Sequence, residues 1–198
     1  GEDFPGEIPL HSRPAYPDTG QISSTRAATR KQFTGDQPVL VILVEFSDRE
    51  GTYSAESFEE MMFGPSNSVK DFYLDASFDQ LNLIPAHETS GIYNDGVIGW
   101  LDYGEAHPNT GDNSTTSEDQ QMVTNALNYA DSYINYASYD TNSDGYISSD
   151  ELHIVVVAAG FERAYSRVEP NVWAHHWKLN FTGTPVLDGV VLGDGEYG

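Results

Sequence analysis

Cysteine is absent from this chain of 198 residues, and cations are scarce: nine Lys and Arg stand against thirty-one Asp and Glu. Without Cys there is neither a disulfide framework nor a thiolate metal site. The formal net charge of -22 repels nucleic-acid phosphate and anionic membrane surfaces, so the expected partners are cations, with no nucleic acid and no membrane insertion. No apolar run approaches the roughly 20 residues that span a bilayer, and no charged-then-apolar signal segment opens the sequence. Gly1 in place of an initiator Met reads either as an engineered fragment or as a mature product from which any signal has been removed. Zero Cys with strong acidity fits a bacterial secreted protein that relies on calcium, and it fits an acidic cytosolic protein equally, so composition leaves the compartment open.

What is present is enough for a core. Hydrophobic residues make up 38% and aromatics 12% of the chain, too many for a disordered protein. Residues 1 to 36 are rich in Pro, Gly, Ser and Thr and hold four of the nine cations, which marks an extended leader or linker before a domain over 37 to 198. The run Val39 to Phe46 is unbroken and largely β-branched, as a buried central strand requires. Ser54 suits the cap of a first helix with Phe58, Met61 and Met62 on one face, stopped at Gly64-Pro65; Val69, Phe72, Tyr73 and Ala76 give a second helix one buried stripe. Leu81 to Pro85 and Val97 to Leu101 follow as strands of a mixed or antiparallel sheet. Residues 117 to 137 carry the longest helical periodicity, and Leu152 to Gly160 reads as a second buried strand. The fold class expected is therefore α/β (α+β), a mixed β-sheet flanked by helices.

Between that long helix and that strand lies Asp140 to Glu151, D-T-N-S-D-G-Y-I-S-S-D-E. Calcium takes about six to eight hard oxygen ligands, and a short loop supplies them when carboxylates alternate with spacers and the chain turns sharply midway. Asp140, Asn142 and Asp144 fill positions 1, 3 and 5, Tyr146 offers its carbonyl at 7, Ser148 suits a water-mediated contact at 9, and Glu151 stands at 12. Gly145 permits the turn. A solvated Asn/Asp/Ser/Gly turn is the bland alternative, but it does not call for the Gly and the terminal Glu together. Because a strand follows the loop, the expected role is a structural brace and not a sensor.

A catalytic site is harder to find. No two of the six His stand four apart, and His87-Glu88-Thr89-Ser90-Gly91 lacks the second imidazole of H-E-x-x-H, so no zinc ligand is assigned. His175 and His176, between Trp173 and Trp177, are read as neighbours on a strand within aromatic packing, one in and one out. His153 is read as a hydrogen-bonded core histidine in preference to a base. Gly193-Asp194-Gly195 lacks the rest of a phosphate-binding loop, there is no G-x-S-x-G elbow, and no catalytic residue is assigned. Two N-x-S/T sequons fall at Asn113 and Asn180.

Taken in order, several stretches form a set: Val39 to Asp48; Met62-Phe63-Gly64; Ser68 to Tyr73 with Ser77 and Gln80-Leu81; Tyr139-Asp140 opening the acidic loop; His153 to Gly160; and Val172 to Trp177. That set, spanning about residues 38 to 198, resembles the immune-inhibitor-A type (M6) secreted bacterial metallopeptidases. The resemblance implies a zincin-like N-terminal subdomain and secretion. It also implies protein or peptide hydrolysis in a longer parent whose H-E-x-x-H helix, with its zinc and glutamate base, follows the matched region. Calcium would be this chain's own cofactor, zinc the longer parent's, and the remainder of the catalytic domain its partner. Relatives tend to have His-Ala-Gly where this chain has Ala158-Ala159-Gly160. The alternative is a non-catalytic, calcium-binding extracellular structural or binding domain on the same scaffold. A cohesin-partner-like calcium module would want a second copy of the loop, and the sequence holds only a single copy.

Overall fold

A computed structural model describes residues 33–111, 117–179 and 183–192, together with the backbone of residues 196 and 197. By contacts the chain divides into Gly1–Gln32 and Phe33–Gly198. The proposed leader thus lies almost wholly outside the described residues, as do both sequons and Gly193 to Gly195.

The axis of the second unit is β1 (Gly35–Glu45). Then come α1 (Ala55–Phe63), α2 (Val69–Ala76), β2 (Leu81–Pro85), β3 (Val97–Asp102), α3 (Ser117–Ala130), a 3-10 turn over Tyr136–Tyr139, and β4 (His153–Ala158). Short strand pairs complete the order: β5 (Phe161–Glu162) with β6 (Asn171–Val172), β7 (Trp177–Lys178) with β10 (Glu196–Tyr197), and β8 (Val186–Leu187) with β9 (Val190–Val191).

Every pairing of the main sheet is parallel. Val39 is opposite both Pro85 of β2 and His153 of β4, and Val41 is opposite both Val97 of β3 and Val155 of β4. Two partners of one residue must lie on opposite edges, so β2 and β3 follow one another along one edge of β1 while β4 takes the other. The mixed or antiparallel sheet expected for β2 and β3 is therefore incorrect for the main sheet. At eleven residues β1 is long enough to take two short strands in succession on one edge, so the chain between β2 and β3 need not reverse direction.

The unbroken apolar run of β1 has a direct structural reason. Side chains alternate across a sheet, and here both faces are covered. Leu40, Ile42 and Val44 join Met122, Val123, Ala126 and Leu127 of α3 in one cluster. Val39, Val41 and Leu43 join Phe63 of α1, Leu83 and Val97 in the other. α2 leans on this second cluster only through Val69, with Leu81 of β2 beside it.

Four expected features differ in the structure. No residue of α2 is buried: Phe72 is 65% and Tyr73 42% exposed, because the helix rests on a short strand at the margin of the sheet. On α1, Met61 is 60% exposed, although Phe58 and Met62 face inward as expected. α3 ends at Ala130, not 137, where the Tyr133 amide donates back to the Ala130 carbonyl at 2.8 Å and begins a turn. Ile134 is still buried, so the stripe continued in the sequence while the helix did not. Finally, β4 is only half-buried along its whole length, since among the described residues it pairs with β1 alone.

Burial sets the expected cost of mutation. Leu43 is fully buried, and Leu43→Ala should lower the stability by about 2–5 kcal/mol, through lost transfer energy and a residual cavity. Met61→Ala should stay within about 0.5 kcal/mol. Urea unfolding midpoints at unchanged m-value would measure both; equal effects would contradict the assignment of faces.

Candidate functional site

The acidic loop is built from its own backbone outward. Asp140 follows the 3-10 turn, and its two carboxylate oxygens accept the amides of Asp144 (3.1 Å) and Gly145 (3.0 Å). Asn142 Oδ1 also accepts the Asp144 amide at 2.8 Å, and Asp144 Oδ1 accepts the Tyr146 amide at 2.9 Å. These are Asx-type turns, in which short polar side chains satisfy nearby N–H groups. They require Gly145 at φ +82°, a conformation that glycine adopts without a Cβ clash.

Glu151 closes the loop. Its Oε1 accepts the Thr141 amide and hydroxyl, each at 2.9 Å, and the Asn142 amide at 3.3 Å. Its Oε2 accepts the Ser148 amide and hydroxyl, both at 3.0 Å. The side chain is 7% exposed. Burial pushes its pKa up, but the hydrogen bonds from Ser148, Thr141 and Asn142 favour the charged form and outweigh it, holding the carboxyl below the usual glutamate range.

The loop is also held from outside, by residues that sequence reading did not single out. The Ile147 amide donates to the Val191 carbonyl at 2.8 Å, and the Val191 amide to the Gly145 carbonyl at 2.9 Å, so the exit of the loop pairs with β9. Asp188, in the turn of the β8–β9 hairpin, accepts the Tyr136 amide at 2.7 Å just before the entry. Tyr136 is fully buried and donates its hydroxyl to the Leu127 carbonyl of α3 at 3.2 Å. The Asp188-Gly189 turn was a visible hairpin signal, but its partner segment was not.

As a cation site, the loop offers carboxylate, amide and carbonyl oxygens, the hard donors that calcium selects. The bonded oxygens of Asp140, Asn142 and Asp144 accept one hydrogen bond each and keep lone pairs, whereas Glu151 accepts five hydrogen bonds, enough to fill a carboxylate's roughly four acceptor positions. The Ser148 hydroxyl is committed to Glu151. Among the described residues no group of three or more His, Cys, Asp or Glu is gathered so as to hold a metal ion, so Asp140, Asp144 and Glu151 do not converge. The donor chemistry fits calcium; a bidentate Glu151 would have to exchange bonds to Thr141 and Ser148.

The histidines are dispersed. His153 is half-buried and hydrogen-bonds Gln37 Oε1 through Nε2 at 3.3 Å. With His176 it lines a cavity of about 800 Å³ that reaches from β4 across β1 to β2 and α2, with walls that include Val39, Tyr73, Leu83 and Tyr146. Residues 173 to 176 are loop and not strand, and Trp173 and Trp177 are both about half exposed, so the expected aromatic packing around the His pair does not form. Glu88 of the incomplete zinc-type fragment is 1% exposed and accepts the Ser90 and Asp95 amides, which makes it the acceptor of a tight turn. Among the described residues no helix is long and apolar enough to cross a membrane. No family model matches the chain, and no curated protein is significantly similar to it.

Glu151→Gln should lower stability in the absence of calcium by about 1.5–3 kcal/mol, the worth of a hydrogen bond to a charged acceptor. Thermal unfolding in chelator measures this; an unchanged midpoint would mean that the closing bonds contribute nothing.

Proposed function

We propose that this chain is the N-terminal portion of a secreted, M6-like zinc metallopeptidase, stabilised by calcium at Asp140, Asn142, Asp144, Tyr146, Ser148 and Glu151. The observation that carries the reading is an oxygen-rich loop, whose residue types follow the order of a calcium loop, leading straight into β4 beside the Val39 to Phe46 strand. The motif order of the resemblance has the same sequence of parts. The half-exposed apolar run of β4 and the cavity beside it support a partner surface for the remainder of a catalytic domain. Hydrolysis in the longer parent would use zinc and a glutamate base on a later helix, and no residue described here takes those roles.

A second reading, a non-catalytic calcium-binding extracellular domain on this scaffold, is favoured by two observations. Ala158 stands where relatives tend to have His, and Glu88 is consumed by its turn. A reading frame continuing into H-E-x-x-H supports the peptidase; a stop codon soon after Gly198 overturns it.

Calcium at about a hundredfold over its dissociation constant should stabilise the chain by about 2.7 kcal/mol. Asp140→Ala combined with Glu151→Ala should abolish the rise in melting temperature; an unchanged rise would place calcium elsewhere. With zinc added, the 198-residue chain should cleave no casein, and turnover would reveal a site outside this description.

A further inference from the structure

The carboxyl ends of β1 and β4 meet the loop that leads into α3, and His107 sits at that junction. It is 7% exposed, and its ring packs edge-on against Phe46 with centroids 4.5 Å apart. A Cβ placed on Gly160 would lie 2.8 Å from His107 Nε2, so the ring is seated against the bare backbone just after β4. The His107 amide donates to Asp48 Oδ1 at 2.8 Å.

The ring's second nitrogen fixes the tautomer. Nδ1 accepts the Asn109 amide at 2.9 Å, so it carries no proton, and the proton of the neutral ring is on Nε2, a buried atom with no hydrogen-bond partner. Asn109 in turn links two segments: its Oδ1 accepts the Asn171 amide at 2.9 Å, and the Gly111 amide donates to the Asn171 carbonyl at 3.1 Å. Asn109 is held at φ +49°, a conformation uncommon outside glycine.

We propose that His107 is a proton-operated latch: neutral, it holds the 105–111 loop against the 160–172 segment at the carboxyl end of the sheet, and protonated, it releases them. A proton on Nδ1 sets two donors against each other where Nδ1 now accepts, and it places a cation in a site closed to water. The charged groups that face the ring are Asp48 and Arg49 after β1 and Asp119 on α3, while the 160–170 segment brings the Gly160 backbone and the Pro170 carbonyl. Burial lowers the His107 pKa; Asp48 and Asp119 raise it, Arg49 lowers it, and the net direction is down from the ordinary 6.5. The closed form therefore binds fewer protons than the open one. Its advantage is complete above 6.5 and is lost as the pH falls from there toward the depressed value.

Amide hydrogen exchange on the whole chain, corrected for intrinsic rates, tests this between about pH 7 and pH 5. Protection at Gly111 and Asn171 should fall relative to the β1 amides, by up to about tenfold per pH unit between 6.5 and the folded His107 value, and level off below it. In His107→Asn, whose Oδ1 takes the place of Nδ1 as acceptor for the Asn109 amide, protection should not respond to pH in this range. Unchanged protection in the wild type overturns the latch, and so does an acid response that survives in His107→Asn. Should that variant not fold, NMR titration of the wild-type His107 ring decides: a value at or above 6.5, or one unrelated to the exchange profile, overturns it.

Discussion

The structure depends on one strand being covered on both faces and both edges. β1 contributes Leu40, Ile42 and Val44 to one apolar cluster and Val39, Val41 and Leu43 to the other, while its backbone is paired with β2 and β3 on one side and β4 on the other. Burying apolar area on two faces adds to the driving force of a one-sided strand, and pairing on both edges gives its backbone groups partners on either side, with one irregularity against β3 between Ile42 and Val44. The other elements are placed by their relation to it. α3 covers one face and α1 the other, and the loop chemistry gathers where β4 begins and where β1 and β4 end.

The acidic character of the chain acquires a more specific meaning in this frame. At Asp140, Asp144, Glu151, Asp188 and Glu88 the carboxylates accept backbone amides, and they close turns that would otherwise leave N–H groups unsatisfied. A carboxylate bound to the amides of its own turn is held in place, whereas calcium needs several such groups turned toward one point, which the acidic groups of this loop are not. The loop therefore serves as a brace by its hydrogen bonds, while Asp140, Asn142 and Asp144 keep oxygens suited to a hard cation. The hairpin that clamps it ties this brace to Tyr136 and through it to α3.

Much of this was legible in the sequence where the signal was local. The Val39 to Phe46 run, the stop at Gly64 and the D-x-N-x-D-G order all correspond to elements whose causes lie within a few residues. Ser54, expected as a cap, takes the N-cap position of α1 without a side-chain hydrogen bond to the helix, whereas Ser68, not singled out as a cap, accepts the Asp71 amide at 3.0 Å. The errors came where two parts of the chain decide together. Phe72 and Tyr73 have helical spacing, yet they face outward because the strand beneath α2 is too short to cover them. The stripe beyond Ala130 stays on the core side without remaining helical, because a turn can bury Ile134 as well as a helix can. His107 showed nothing in the sequence; its burial needs Phe46, Gly160 and Asn109, which are brought together only by folding.

The sequence by itself determined where the four strands of the main sheet and the starts of the three helices lie, the broad α/β class of the fold, the absence of thiol chemistry, and an oxygen-rich loop of calcium-like order. Those follow from periodicity, composition and spacing, which act over short range. The tertiary structure decided the parallel sense of the sheet, the exposure of β4, the commitment of Glu151 to Thr141 and Ser148, and the pairing of the loop with Val191. These depend on which distant segments meet, and a strand's apolar pattern is the same whichever direction its neighbour runs.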